Sequence, residues 1–123
     1  MASESSIRRI RRTAEKDLEG QTVYDDGFLR VEHTNYYVSI DGQPIHLPLK
    51  EFLLLSRLVC KAERVIPIRN LWELVWGSEK SIDEPTMRVH LSRLRHKLMP
   101  FGIGIESMPG VGYRLTLAKR AKT

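Results

Sequence analysis

The sequence predicts an α+β fold, with short antiparallel strands first, then three helices, then a C-terminal β-hairpin. Three observations predict it. Alternating apolar residues surround Asp-Gly pairs before residue 48, apolar residues recur at helical spacing from 48 to 99, and a glycine-rich turn follows. The 123 residues suffice for one domain with a buried core. We expect this domain over residues 21–118, with a tail or interdomain linker over 1–20 and a basic tail over 119–123.

The first part of the domain is expected to hold three or four short antiparallel strands. Asp-Gly pairs favour tight hairpins because glycine adopts positive φ without a side-chain clash. Two such pairs, at 26–27 and 41–42, separate segments that are rich in apolar and aromatic residues. The predicted strands are Thr22–Tyr24, Phe28–Val31, Tyr36–Ile40 and Gln43–Leu47.

Two helices are expected next. The first covers about residues 48–62, and Pro48 suits its first turn. Its predicted apolar stripe consists of Leu49, Phe52, Leu55 and Val59, widened by Leu53 and Leu58. After a short extended break at Val65–Pro67, the second helix covers about Ile68–Trp76, with Leu71, Leu74 and Val75 apolar. Gly77 is expected to end it as a left-handed cap.

The third helix, about Glu84–Met99, has one apolar side and one basic side. Asp83 is expected to cap its start, and Pro100 and Gly102 to end it. At about 100° per residue, four side chains fall on one narrow stripe that must face a core: Met87, Leu91, Leu94 and Leu98. The opposite side carries Arg88, Val89, Ser92, Arg93 and His96. After Glu84, this helix contains no carboxylate.

Such a helix is a candidate for the major groove of DNA. Arginine donates two hydrogen bonds to guanine, serine bonds several base edges, and an aliphatic methyl packs on the thymine methyl. Charge points the same way, since residues 84–123 hold eight basic and two acidic side chains, whereas residues 1–47 are net acidic. Solubility alone, or an acidic membrane surface, would also account for the charge.

The predicted hairpin, Ile105–Met108 and Tyr113–Leu117, completes the element order of a winged helix-turn-helix. Gly110 and Gly112 in its turn would permit close approach to a DNA backbone, although an ordinary tight turn explains them equally well.

Several motifs together resemble the OmpR/PhoB-type winged-helix domain, the output domain of bacterial two-component response regulators. The resemblance covers about residues 22–117, and its most distinctive pieces are V-W-G at 75–77, V-H-x-x-R-L-R-x-K-L at 89–98 and G-V-G-Y-R at 110–114. It implies a transcription regulator that binds double-stranded DNA, with the third helix in the major groove and the hairpin, or wing, near the minor groove.

The resemblance also implies residue roles. Base-facing positions hold Arg88, Val89, Ser92 and Arg93, and expected phosphate contacts are Trp76, Thr86, His90, Arg95 and Lys97. The wing comprises Ser107, Pro109, Gly110, Val111, Gly112, Tyr113 and Arg114. The loop expected to face RNA polymerase comprises Gly77, Ser78, Glu79, Lys80, Ser81, Ile82 and Asp83.

Some positions depart from the family pattern. Pro109 stands where the wing often has arginine, and Ser92 replaces a frequent arginine. Pro48 and Pro67 stand where Ser or Thr usually caps helices one and two, so those starts lose a side-chain bond. Arg95 has an alternative role, as the partner of a carboxylate on the first helix.

The resemblance further implies direct-repeat operators occupied head to tail, contact with RNA polymerase, and a phosphorylatable receiver domain that this chain lacks as a fragment of a longer regulator. A winged-helix module that binds a protein or RNA is the alternative function. An enzyme is disfavoured because the four histidines lack metal-ligand spacing and no P-loop is present, so no cofactor or metal is expected. The single Cys60 and the absence of an apolar leader or membrane span favour the cytoplasm.

Overall fold

The computed structural model describes residues 22–117, which divide into two compact units with the boundary between His46 and Leu47. The expected tails over 1–20 and 119–123 lie outside the described residues. Taken together, the elements are an antiparallel sheet, three helices and a C-terminal hairpin, so the predicted α+β winged-helix fold is confirmed.

The first unit contains a four-stranded antiparallel sheet in the order β1-β2-β3-β4. Its strands are β1 (Val23–Asp25), β2 (Leu29–Glu32), β3 (Tyr37–Ile40) and β4 (Gln43–Pro44). The second Asp-Gly pair sits in the β3–β4 hairpin with both residues at positive φ, 52° and 80°, which is the pattern of a type I′ turn. Alternation along the strands leaves Leu29, Val31, Val38 and Ile40 buried.

The second unit begins with helix α1 (Leu49–Cys60). Neither Pro48, at its cap position, nor Pro67 before the next helix provides a side-chain capping bond, as expected. The predicted apolar stripe of α1 needs two corrections. Leu49 is exposed because it opens the helix. Leu54, which the predicted stripe leaves out, is completely buried, whereas Leu53 is half-buried.

The remaining elements are β5 (Val65–Pro67), α2 (Ile68–Trp76), α3 (Glu84–Leu98), a short 3₁₀ turn (Met99–Phe101), β6 (Gly104–Met108) and β7 (Gly112–Thr116). The segment expected to be a simple extended break is strand β5. It pairs antiparallel with β7, which also pairs with β6, so the wing hairpin belongs to a three-stranded sheet. Gly102 ends the 3₁₀ turn in the left-handed conformation, one turn later than the end of α3.

The core of the second unit brings the three helices together with the wing sheet. Leu55, Leu71, Leu94 and Leu115 are completely buried and come from α1, α2, α3 and β7 in turn. This core fixes the direction in which each helix presents its other side.

Candidate nucleic-acid interface

Helix α3 has the two predicted sides. Met87, Leu91, Leu94 and Leu98 are all at most 1% exposed, so they anchor the helix to the core. Arg88, Val89, Ser92, Arg93 and His96 are exposed, and Val89 retains 45% of its accessible surface. The orientation of α3 inferred from its periodicity is therefore confirmed.

The four predicted base-facing residues lie on one continuous surface. Arg88, Val89, Ser92 and Arg93, together with Pro85, line a single shallow depression along α3. Arg88 also lies 3.5 Å from Glu84, but this pair is exposed on both sides, and such pairs contribute little. The depression thus offers two guanidinium groups, a hydroxyl and an aliphatic surface, which are the groups that recognise base edges in a major groove.

The start of α3 is fixed by Asp83, as predicted. One carboxylate oxygen accepts the backbone N–H of Thr86 at 3.2 Å, and the other accepts the Thr86 hydroxyl at 2.8 Å. Proline at 85 adds a fixed φ in the first turn. The cap holds the first turn of the helix, and with it Thr86, in a defined place.

An aromatic cluster connects α2 to α3. The rings of Trp72 and Trp76 stack with centroids 4.4 Å apart, and His90 meets Trp76 edge-on at 5.4 Å. His90 Nδ1 lies 2.8 Å from the Thr86 carbonyl oxygen, so Nδ1 is the donor in that bond and Nε2 is left for other partners. Three predicted phosphate contacts, Trp76, Thr86 and His90, therefore lie side by side.

Trp72 is a residue of this cluster that sequence reasoning missed. Its indole Nε1 donates to the Lys80 carbonyl at 2.9 Å, which ties the loop 77–83 to α2. The signal was present, because positions 72 and 76 are one helical turn apart and side chains at that spacing meet. Gly77, at the start of the loop, has φ 96° and ψ 154°, so the left-handed cap expected there is wrong, although the positive φ does require glycine.

The two cations near the end of α3 have partners within the protein. Arg95 Nε donates to the Ile105 carbonyl at 2.9 Å and another guanidinium nitrogen lies 3.4 Å from the Ser107 hydroxyl, so Arg95 connects α3 to β6. The alternative that Arg95 pairs with a carboxylate of the first helix is wrong. Lys97 occupies that role, with Nζ 2.6 Å from Oε1 of the buried Glu51, because it lies on the flank of α3 that packs on α1.

The wing divides into an exposed tip and a buried base. The exposed part comprises Ser107, Met108, Pro109, Gly110 and Val111. A hydrogen bond from Val111 N to the Met108 carbonyl closes the turn at 2.9 Å, with Gly110 at φ 75°, as type II turns require. Met108, Pro109 and Gly110 share a groove with Glu84 and Arg88, so the tip lies beside the first turn of α3.

At the base of the wing, Gly112 has a role that the sequence did not indicate. Gly112 is buried, and a Cβ there would lie 2.0 Å from the Ile66 carbonyl oxygen, so this glycine serves the contact between β7 and β5. Tyr113 is only 7% exposed and stands opposite Ile66 in the sheet. The guanidinium of Arg114 pairs with Glu106 across the hairpin. Arg114, the cation of the wing, therefore has its partner within the hairpin.

Within residues 22–117, no cluster of three or more histidine, cysteine, aspartate or glutamate side chains has the arrangement of a metal site. Over the same residues, every helix is too short or too polar to cross a bilayer.

Comparison with known proteins decides the family. Residues 42–115 match the model of the family described as "Transcriptional regulatory protein, C terminal". The chain belongs to this family. The family consists of DNA-binding winged-helix domains of the OmpR/PhoB type and not of enzymes, as the motifs predict.

Relatives of this family extend the comparison. The sensory transduction protein RegX3 of Mycolicibacterium smegmatis is 37% identical over 111 residues, which cover 86% of this chain and 49% of RegX3. The chain thus spans about half the length of the curated relatives it matches.

Solved DNA-binding domains of the family share the fold. The DNA-binding domain of CpxR from E. coli is 26% identical, with a TM-score of 0.69, over 80% of this chain and 99% of that one. The DNA-binding domain of the response regulator AdeR, solved in complex with an intercistronic region, is 25% identical, with a TM-score of 0.62, over 79% and 100% of the two chains.

Proposed function

We propose that the chain binds double-stranded DNA sequence-specifically through α3 in the major groove, as the output domain of a two-component response regulator. The observation that carries this proposal is the exposed surface of Arg88, Val89, Ser92 and Arg93 opposite the buried leucines. A helix fits the major groove, and these side chains complement base edges there. Such a function places the protein with the bacterial chromosome, in the cytoplasm.

Contacts to phosphates position the helix in this proposal. Trp76, Thr86 and His90 form the cluster described above, and Arg95 lies at the junction of α3 with the wing. Lys97 would reach DNA only by leaving Glu51, so it is the weakest of the predicted contacts. The wing tip approaches the minor groove with Pro109 and Gly110 and no cation of its own.

Two further partners belong to the same proposal. The exposed loop from Gly77 to Asp83 is the surface offered to RNA polymerase, and the Trp72–Lys80 bond holds it in a fixed shape. Two copies bind direct repeats head to tail on one face of the DNA. The receiver domain expected from the resemblance stays a prediction.

A comparison of two variants tests the DNA-binding proposal. A duplex selected from a random library serves as the cognate site, and binding is measured by fluorescence anisotropy against a scrambled duplex. Arg93→Ala should cost about 1–3 kcal/mol on the selected site and relax specificity at one position. His90→Ala should weaken binding to both duplexes similarly.

The control is Arg64→Ala, which removes one exposed charge from the turn that precedes β5, at the end of this strand away from the wing tip. It should bind as the wild type does. If Arg93→Ala and His90→Ala also bind as the wild type, the helix-in-groove proposal is wrong. Retained binding of a protein or RNA without binding of duplex at low salt would establish the alternative function.

A further inference from the structure

A lysine at the start of α1 adjoins the aromatic cluster. Lys50 Nζ lies 5.7 Å from the centroid of the Trp76 ring and donates to the Val75 carbonyl at 3.2 Å. Both contacts are at the C-terminal end of α2, where the helix dipole is negative and favours a cation. The contacts proposed above do not include this residue.

Lys50 differs in how its charge is balanced from three cations of this unit that form ion pairs. Lys97 is held by Glu51, Arg114 by Glu106 and Arg88 by Glu84. Across residues 22–117, no carboxylate lies within ion-pair distance of the Lys50 ammonium, which is satisfied by a neutral carbonyl and a ring face. An ammonium has three donors, so two remain for a further acceptor. Binding an anion there would break no ion pair.

The position of Lys50 aligns it with the candidate phosphate contacts. The chain of contacts runs from Lys50 to Trp76, from Trp76 to His90 at 5.4 Å, and from His90 to the Thr86 carbonyl at 2.8 Å. These four residues come from α1, α2 and α3, so the strip crosses three helices. A phosphate oxygen that reaches the edge of Trp76 would meet the lysine within the reach of its flexible stem.

We infer that Lys50 is a further phosphate-binding residue, which extends the DNA contact surface from α2 and α3 to the first turn of α1. This inference rests on the proposed DNA binding and adds a backbone contact that carries no sequence preference. The binding group is a compact ammonium beside an indole ring. Its ligand is a phosphodiester of the DNA strand that passes α2.

The number of phosphates contacted is measurable from salt dependence. Each neutralised phosphate contributes about 0.9 to the slope of log K against log salt on duplex DNA. The full chain is titrated onto a fluorescein-labelled duplex of mixed sequence between 50 and 200 mM salt. Lys50→Gln should flatten the slope by about 0.9. The loss of affinity between 50 and 200 mM salt should then be roughly threefold smaller than for the wild type. Lys50→Arg should restore the slope, because it keeps a donor cation.

Arg64→Gln is the matched control, because it removes one positive charge beyond the other end of α1, about 15 Å away. It should leave the slope unchanged, and circular dichroism melts check that each variant is folded. A loss of affinity with an unchanged slope after Lys50→Gln would show that the lysine only supports Trp76, and would overturn the inference. A wild-type slope and affinity in Lys50→Gln would overturn it as well. Failure of the wild-type chain to bind any duplex would instead refute the proposed function, and the inference with it.

Discussion

The structural role of a single residue in this domain depends on contacts that the local sequence pattern does not show. Gly110 and Gly112 lie two positions apart in one hairpin, yet they serve different purposes. Gly110 supplies a positive φ at the exposed tip, whereas Gly112 supplies an absence of side chain where β7 passes the backbone of β5. From the sequence, both glycines fit either a tight turn or close approach to DNA, and only the pairing of distant strands distinguishes them.

This difference predicts unequal costs of substitution. Gly112→Ala should destabilise the domain by about 3 kcal/mol or more, because overpacking against an immovable carbonyl forces β5 and β7 apart. Gly110→Ala should cost only about 1–2 kcal/mol, the strain of a left-handed alanine in open space. Urea unfolding of the two variants checks the order, and equal midpoints would contradict it.

Short-range hydrogen bonds also set the pKa values of two carboxyl groups in the first sheet. The Asn35 amide, followed by the Arg30 guanidinium, lowers the pKa of Glu32 below its ordinary value. The Gly27 N–H, followed by Arg30, lowers the pKa of Asp25. A carboxyl whose folded pKa is depressed stabilises the fold above its unfolded pKa and loses that effect as pH falls through the folded value.

We therefore predict that Asn35→Ala raises the pKa of Glu32 towards 4.5 and leaves that of Asp25 unchanged, because Asn35 contacts only the former. The acid limb of the stability curve should become shallower, since less stability remains to be lost on protonation. Carboxyl chemical shifts followed by NMR titration test this. A parallel rise of both pKa values would contradict it.

At the scale of elements, one ion pair connects α1 with α3. Glu51 is only 2% exposed, whereas Lys97 keeps 38% of its surface, so the pair joins a buried carboxylate to a cation at the edge of the core. Lys97→Met should destabilise the domain by about 3 kcal/mol, because a buried charge is left without its partner. Adding Glu51→Gln should recover part of that loss, and a double-mutant cycle from thermal unfolding measures the coupling.

The control for this prediction is Arg93→Ala, which removes an exposed cation about one turn earlier in the same helix and should not change the melting temperature. Additive losses in the cycle would show that the two side chains do not act as a pair.

Helices were the elements that the sequence predicted best. The periodicity of α3 placed its four buried residues correctly, because a 3.6-residue repeat is a local property. The periodicity could not tell which flank of α3 packs on α1, and the residue that pairs with Glu51 is Lys97 and not Arg95. Strand β5 was missed for a related reason, since a three-residue strand is recognisable only by its partner, and β7 lies about 50 residues away.

At the scale of the whole molecule, charge is distributed unequally along the chain. The last forty residues are strongly basic and the first part is net acidic, a distribution that favours encounter of one region with a polyanion. Composition favours this class of partner, and the orientation of α3 indicates the surface that we propose for contact with it. The side chains on α3 do not specify a single operator sequence, because Arg, Ser and Val are each compatible with several arrangements of bases.

Occupation of direct repeats gives the prediction at this scale. Two sites one helical turn apart should be filled cooperatively by two copies, because both then lie on one face of the duplex. Insertion of about half a turn, roughly 5 bp, should abolish the cooperativity and leave single-site affinity intact. Quantitative footprinting of the two spacings measures it, with a single site as the control. Equal cooperativity at both spacings would contradict a side-by-side arrangement.

The stacked indoles have a practical consequence. The chain has two tryptophans, and both belong to the cluster between the proposed DNA surface and the loop that follows α2. Their fluorescence is therefore an intrinsic probe of this aromatic cluster alone. Quenching or a spectral shift on titration with an oligonucleotide would report on that cluster without any attached dye.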